Sequence, residues 1–230
     1  MSKLIAASIA ILLLLASNAL AETQDVTWET LNAEALSLYR QGEYQRGMER
    51  AKKALRVAEQ TGGLYHPTVA LSMNNLALLH KAQGQYEQAE RLYLFSLMLG
   101  EEARGLDHPS VATTLNNLGA LYNAQGWYAK AEPLYRRALD IKEKALGPDH
   151  LSVALSLSNL AECYCGQGRY DQAEPLHQRA LTIRERTLGP GHPAVAWSLE
   201  ALAMVYQKTA RPDEATAIRK RAAAIGAEQR

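Results

Sequence analysis

The sequence predicts an all-α fold, an α-solenoid of about five helical hairpins with a 42-residue period, and three observations carry that reading. The first is the period itself: His66-Pro67, His108-Pro109, His150-Leu151 and His192-Pro193 follow one another at steps of 42 residues. Leu76-Ala77, Leu118-Gly119, Leu160-Ala161 and Leu202-Ala203 keep that register, as do Gly84, Gly126 and Gly168, then Tyr86, Tyr128 and Tyr170. The second is helical spacing inside a unit. Leu115, Leu118, Gly119 and Tyr122 fall at i, i+3, i+4 and i+7, and Tyr128, Ala131, Tyr135, Ala138 and Leu139 form another stripe after the glycine. The third is punctuation: Pro67, Pro109 and Pro193 suit a first helical turn, where a missing N–H costs nothing, and the glycines suit a left-handed turn between helices.

Taken in order, residues 1–21 have the build of a secretory signal. Lys3 supplies a positive start, Leu4 to Leu15 is apolar, and Ala19 and Ala21 are small where a signal peptidase reads, with Glu22 next. Cleavage and export to the periplasm or beyond the cell are the expectation, with an uncleaved anchor as the alternative. Ser8, Ser17 and Asn18 interrupt that stretch, and its strongly apolar part is short for a bilayer core of ~30 Å. No cysteine follows the site, so a lipoprotein is not expected.

Residues 22–65 hold a tail and a degenerate first unit that keeps Gly42, Tyr44 and Ala54. Full units follow at 66–107, 108–149 and 150–191. Small Ala or Gly at the aligned crossing points lets the two helices of each approach closely. Pro133 and Pro175 fall inside second helices, where a local bend is expected. Residues 192–230 form the last unit and its cap: Ala210 replaces the turn glycine, Pro212 the tyrosine after it and Arg219 the second tyrosine, while Arg211, Lys220 and Arg221 make the final helix polar.

Composition excludes several functions. The chain has 230 residues, 47% of them hydrophobic, which rules out disorder, and 25 basic against 24 acidic residues leave no excess to attract a phosphate backbone. Nucleic acid is not an expected partner. Cys163 and Cys165 are two apart on a helix, where side chains diverge by about 200°, so they should not bridge each other. Cys163 replaces Leu or Val of other units and reads as core, Cys165 as more exposed. The four periodic histidines stand one per hairpin, far beyond the donor spacing zinc needs, and read as packing or loop-capping residues. His80 and His177 replace repeat tyrosines and should be semi-buried. No phosphate loop, His-Glu-x-x-His or Gly-x-Ser-x-Gly is present, so no catalytic residue, cofactor or metal is assigned.

The run Leu115-Asn116-Asn117-Leu118-Gly119-Ala120-Leu121-Tyr122, then Gln125-Gly126-Trp127-Tyr128, Ala131-Glu132-Pro133-Leu134-Tyr135-Arg136-Arg137-Ala138-Leu139 and Leu146-Gly147-Pro148-Asp149-His150, resembles the tetratricopeptide repeat of kinesin light chains. The likeness is strong over residues 66–208 and looser at the flanks. It implies a right-handed superhelix whose concave groove, lined mainly by each unit's first helix, binds peptides. Two departures limit it. Residues 22–30 are too short for the heptads of a motor-binding coiled coil. Leu71, Thr113, Leu155 and Trp197 stand where other members clamp a terminal carboxylate with cations, so no clamp is implied.

The groove residues follow from the same resemblance. Asn75, Asn117 and Asn159 precede the helix leucine in three units, and Ala201 breaks the series. A carboxamide can pair with both groups of an extended backbone, and asparagine is a poor helix former, so its recurrence needs a reason. The alternative reason is bonding within the solenoid, and both stay open. Selectivity would come from Leu71, Asn74 and Leu78; from Thr113, Asn116, Ala120 and Asn123; from Leu155, Ser158 and Glu162; and from Trp197 and Glu200. Trp197 is the aromatic anchor of this reading or else a core residue of the end unit, and Trp127 a structural or rim residue. The expected function is a non-catalytic scaffold that binds an extended protein or peptide segment outside the cytosol. Alternatives are a self-associating subunit of an envelope assembly and, less favoured, a secreted enzyme without a recognisable motif.

Overall fold

The computed structural model describes residues 27–227, so the signal-peptide reading lies outside the described residues. Ten α-helices follow in five hairpins: α1 (Trp28–Arg40) with α2 (Tyr44–Gly62), α3 (Pro67–Ala82) with α4 (Tyr86–Arg104), α5 (Pro109–Ala124) with α6 (Tyr128–Leu146), α7 (Leu151–Gly166) with α8 (Tyr170–Leu188), and α9 (Pro193–Lys208) with α10 (Pro212–Ala227). First helices of the first four units also touch one another in turn, while second helices contact mainly the first helices before and after them. The first helices therefore form the inner wall of a right-handed α-solenoid.

The unit boundaries are built from local chemistry. His66, His108, His150 and His192 are the N-caps of α3, α5, α7 and α9, each ring Nδ1 accepting from the backbone N–H two residues on, at 3.3, 3.1, 3.1 and 3.1 Å. That bond satisfies an orphan donor of the first turn. Gly126 turns the chain between α5 and α6 at φ +75°, and in the last unit Ala210 takes the same turn at φ +58°. A second glycine series, Gly63, Gly105, Gly147 and Gly189, with Gly147 at φ 85° and ψ 153–169° across the series, ends the first four second helices in backbone space that other residues hardly enter. Pro133 and Pro175 are exposed, and α6 and α8 each run through them as one 19-residue helix.

Packing inside a hairpin rests on the small aligned residue. Ala77, Ala161 and Ala203 are fully buried, and a Cβ on Gly119 would lie 2.8 Å from the Tyr135 ring. His177 differs from the semi-burial expected of it: only 1% of it is exposed. The position decides this, because Tyr93 and Tyr135 at the same place in earlier units are 0% and 2% exposed. Burial, then the Arg184 charge, pull the His177 imidazole down to about 4. Cys163 is buried and Cys165 half-buried, both as free thiols. The final helix α10 buries only Ala215, Ala222 and Ile225, which closes the stack with a polar outer face.

Junctions between units share a hydroxyl. Ser72, Thr114, Ser156 and Ser198 stand 42 residues apart on successive first helices and are almost wholly buried. Each meets a side chain from the preceding unit or from the first helix beside it: Ser72 accepts from Trp28 Nε1 at 2.6 Å, Ser156 from Asn116 Nδ2 at 2.8 Å, and Ser198 from Arg184 Nη1 at 2.5 Å, while Thr114 shares a bond with the Ser96 hydroxyl at 3.2 Å. Ser96 also donates to Ala70 O at 2.7 Å, and Arg184 Nη2 to the equivalent Ala154 O at 3.4 Å. A buried hydroxyl left unpaired would cost about 1–3 kcal/mol, so these bonds fix how one hairpin seats on the next.

Candidate binding groove on the inner wall

Three rows run along the inner wall. The outermost holds Leu71, half-buried, then Thr113, Leu155 and Trp197, all exposed. Leu155 is 49% and Trp197 60% exposed, so Trp197 is not a core residue of the end unit. The row beneath is sealed in three units: Asn74, Asn116 and Ser158 are 4%, 5% and 2% exposed, and only Glu200 of this row reaches solvent. Next come Asn75, at 9%, and the half-buried Asn117 and Asn159. Leu78, Ala120, Asn123 and Glu162 continue the wall, all half-buried.

The repeated amides bond along the solenoid. Asn75 Nδ2 donates to Asn32 Oδ1 at 2.7 Å, Asn117 Nδ2 to Asn74 Oδ1 at 3.0 Å, and Asn74 Nδ2 to Asn75 Oδ1 at 3.2 Å. The Asn75–Asn32 and Asn117–Asn74 bonds each tie a first helix to the one before, and the Asn74–Asn75 bond links them within α3. The ladder changes at the fourth unit: Asn116 turns its Nδ2 to Ser156 and leaves its buried Oδ1 without a partner among the described residues. Asn159, in the next first helix, has no such rung among the described residues. Ser158 Oγ and Asn123 Oδ1 are likewise buried and unpartnered among the described residues.

Sequence reading missed Met204, 42% exposed, which continues the Leu78, Ala120 and Glu162 series into α9. It borders a cleft of about 290 Å³ lined by Glu162, Cys165, Gly166, Tyr170, Met204 and Lys208. The period itself would have found it. Burial raises the Glu162 carboxyl, and the Arg184 charge acts the other way. Trp127 stands apart from this wall, as the residue that caps α6; it packs on Tyr122 at 5.9 Å, with Lys130 Nζ 4.4 Å from its ring. Among the described residues no three His, Cys, Asp or Glu side chains gather to hold a metal, and no helix is long and apolar enough to cross a membrane.

Stacked helical hairpins with a wall of first helices define a solenoid with contact surface along its length, the architecture of a scaffold class. The tetratricopeptide repeat family matches residues 29–97, 77–144, 110–174 and 152–227, and the chain belongs to that family. Its repeats are of the kinesin-light-chain type. The nearly identical TPR-like repeats of a Podosopora anserina kinesin light chain are 25% identical, with a TM-score of 0.72 over 88% of this chain and 96% of that one. BtubC (BKLC) of P. vanneervenii shares the fold at a TM-score of 0.77 and 24% identity, over 87% of this chain and 80% of its own. The Rap protein complexed with competence and sporulation factor does so at 0.73 and 15%, over 87% of this chain and 54% of that one. No curated protein sequence matches the chain significantly.

Proposed function

We propose that this tetratricopeptide scaffold captures an extended segment of a partner protein along its inner wall, outside the cytosol. The observation that carries the reading is the placement of Leu155, Trp197 and Met204 on the neighbouring helices α7 and α9, each more than two-fifths exposed on the wall itself. Large apolar side chains left in water at one place mark a surface that gains by being covered. Trp197 and Leu155 anchor apolar side chains of the ligand. Asn159, outside the amide ladder, pairs with its backbone, while Asn75 and Asn117 chiefly hold the wall in register. The solved likeness of the Rap complex to this fold supports protein ligands in general.

Extended peptides displayed on phage and selected on the purified protein test this. Trp197→Ala with Leu155→Ala should weaken the selected peptides at least about tenfold without moving the melting temperature, and Asn159→Ala should weaken them less. Selected peptides that bind the double variant unchanged would refute the groove. Export is tested separately, by fractionating the producing cell and sequencing the N-terminus: a start at Glu22 outside the cytosol is expected, a retained Met1 would overturn cleavage, and recovery in the cytosolic fraction would remove the exported reading.

A further inference from the structure

The outer surface of α4 breaks a pattern that the other units keep. At its aligned outward positions the chain places Lys52, Lys53 and Arg56 on α2, Arg136, Arg137 and Asp140 on α6, and Gln178, Arg179 and Thr182 on α8. On α4 the same three positions are Leu94, Phe95 and Met98, which are 47%, 55% and 50% exposed. The exchange also removes a structural bond. Arg137 pairs with Glu101 and Arg179 with Glu143, each at 2.5 Å, and Arg221 pairs with Glu185, so one arginine per unit grips the second helix before it. Phe95 occupies that arginine's place, and Glu59 is the acid it would have held. A junction contact has been replaced by an apolar side chain in water.

The flanks of the patch say what covers it. Arg91, Leu94 with Phe95, Met98 and Glu102 follow at helical steps along one stripe, with a cation at its start and an anion at its end, both exposed. We propose that α4 is a self-association surface on which a second copy of this chain docks in antiparallel orientation about a two-fold axis. With the axis between Phe95 and Met98, Phe95 meets the partner's Met98 and Arg91 meets the partner's Glu102, and symmetry repeats both contacts. A parallel arrangement would set like charges against each other. The exposed one-turn pair of Arg91 with Glu87 contributes little and does not compete. Three apolar residues per copy make a small interface, so the dimer is reversible and forms as concentration rises. It uses the outside of the curve and leaves the inner wall of each copy free, so it stands independently of the groove reading.

Sedimentation velocity of the purified protein over a dilution series tests it. A monomer–dimer equilibrium is expected, with half-association at ~10 µM. Leu94→Arg with Phe95→Arg and Met98→Asp, which copies the next unit's own surface, should leave a monomer of unchanged helicity at every concentration. Arg91→Glu should weaken the dimer about tenfold, and Arg91→Glu with Glu102→Arg should restore it. The charge pair decides the matter should the triple variant fail to fold. A concentration-independent monomer, as coverage by another segment of the same chain would give, overturns the proposal. So does a dimer that survives the triple variant, or a double reversal that restores nothing.

Discussion

Between the second and third units, Ser96 spans the junction with one hydroxyl, reaching Ala70 O and Thr114, and Gly100 leaves the space beside it open. Between the fourth and fifth, Ala180 offers nothing, and Arg184 fills that space to reach Ala154 O and Ser198 from one turn further along the helix. The two carbonyls and the two hydroxyls being joined are equivalent in position, but Ser96 gives its one proton to Ala70 O and accepts from Thr114, whereas Arg184 donates to both Ala154 O and Ser198. The third unit stands between them, with Ala138, a buried Lys142, and a hydroxyl served by Asn116 instead. The period thus keeps the carbonyl and the hydroxyl in place, while the group that joins them is free to change. A cationic donor brings a cost that the neutral one avoids, because it takes a charge out of water and disturbs its neighbours.

The largest expected difference is acid sensitivity near the charged junction. His177 is held neutral, with its folded value pulled down to about 4 from the ordinary 6.5, and its buried Nε2 has no partner among the described residues. Its contribution is fully present above pH 6.5 and is lost as pH falls toward 4, to the extent of about 3 kcal/mol. His177→Tyr, the residue of the second and third units, should flatten the stability profile over that window in chemical denaturation. An unchanged slope would place the acid response elsewhere.

A smaller effect comes from exchanging donors. Arg184→Gly should cost about 2 kcal/mol, through lost bonds, an emptied space and a helical glycine, less the relief of a buried charge. Adding Ala180→Ser, which recreates the Ser96–Gly100 pair, should recover about half of it by the hydroxyl's two bonds. Should the serine recover nothing, the two junctions are not equivalent. The smallest effect is a gain: Lys142, 6% exposed, is drawn from 10.5 to about 8 by burial. The wild-type protein should become more stable as pH rises from 8 to 10.5, and Lys142→Met should add about 1 kcal/mol at neutral pH, fading over that range.

The period made most of the fold legible, because proline, glycine and histidine each mark a backbone need that recurs at a fixed place. His150 keeps its cap although Leu151 replaces the proline, since the ring nitrogen alone makes the bond. The junction hydroxyls were not legible in the same way. Ser72, Thr114, Ser156 and Ser198 recur, but their partners Trp28, Ser96, Asn116 and Arg184 come from different positions, so no pair repeats. At the candidate groove, the exposure of Leu155 and Trp197 matches their place in the pattern, whereas Asn75 and Asn117 look alike in sequence to Asn159 and only coordinates separate them by their bonds.

One feature of the helix contacts bears on how such a wall behaves under load. Among the described residues each hairpin meets only its immediate neighbours, so no long-range brace there locks the pitch of the array. Small rotations at successive junctions add up, as in a coiled spring. The wall can tighten or lengthen while every hairpin keeps its own interior unchanged.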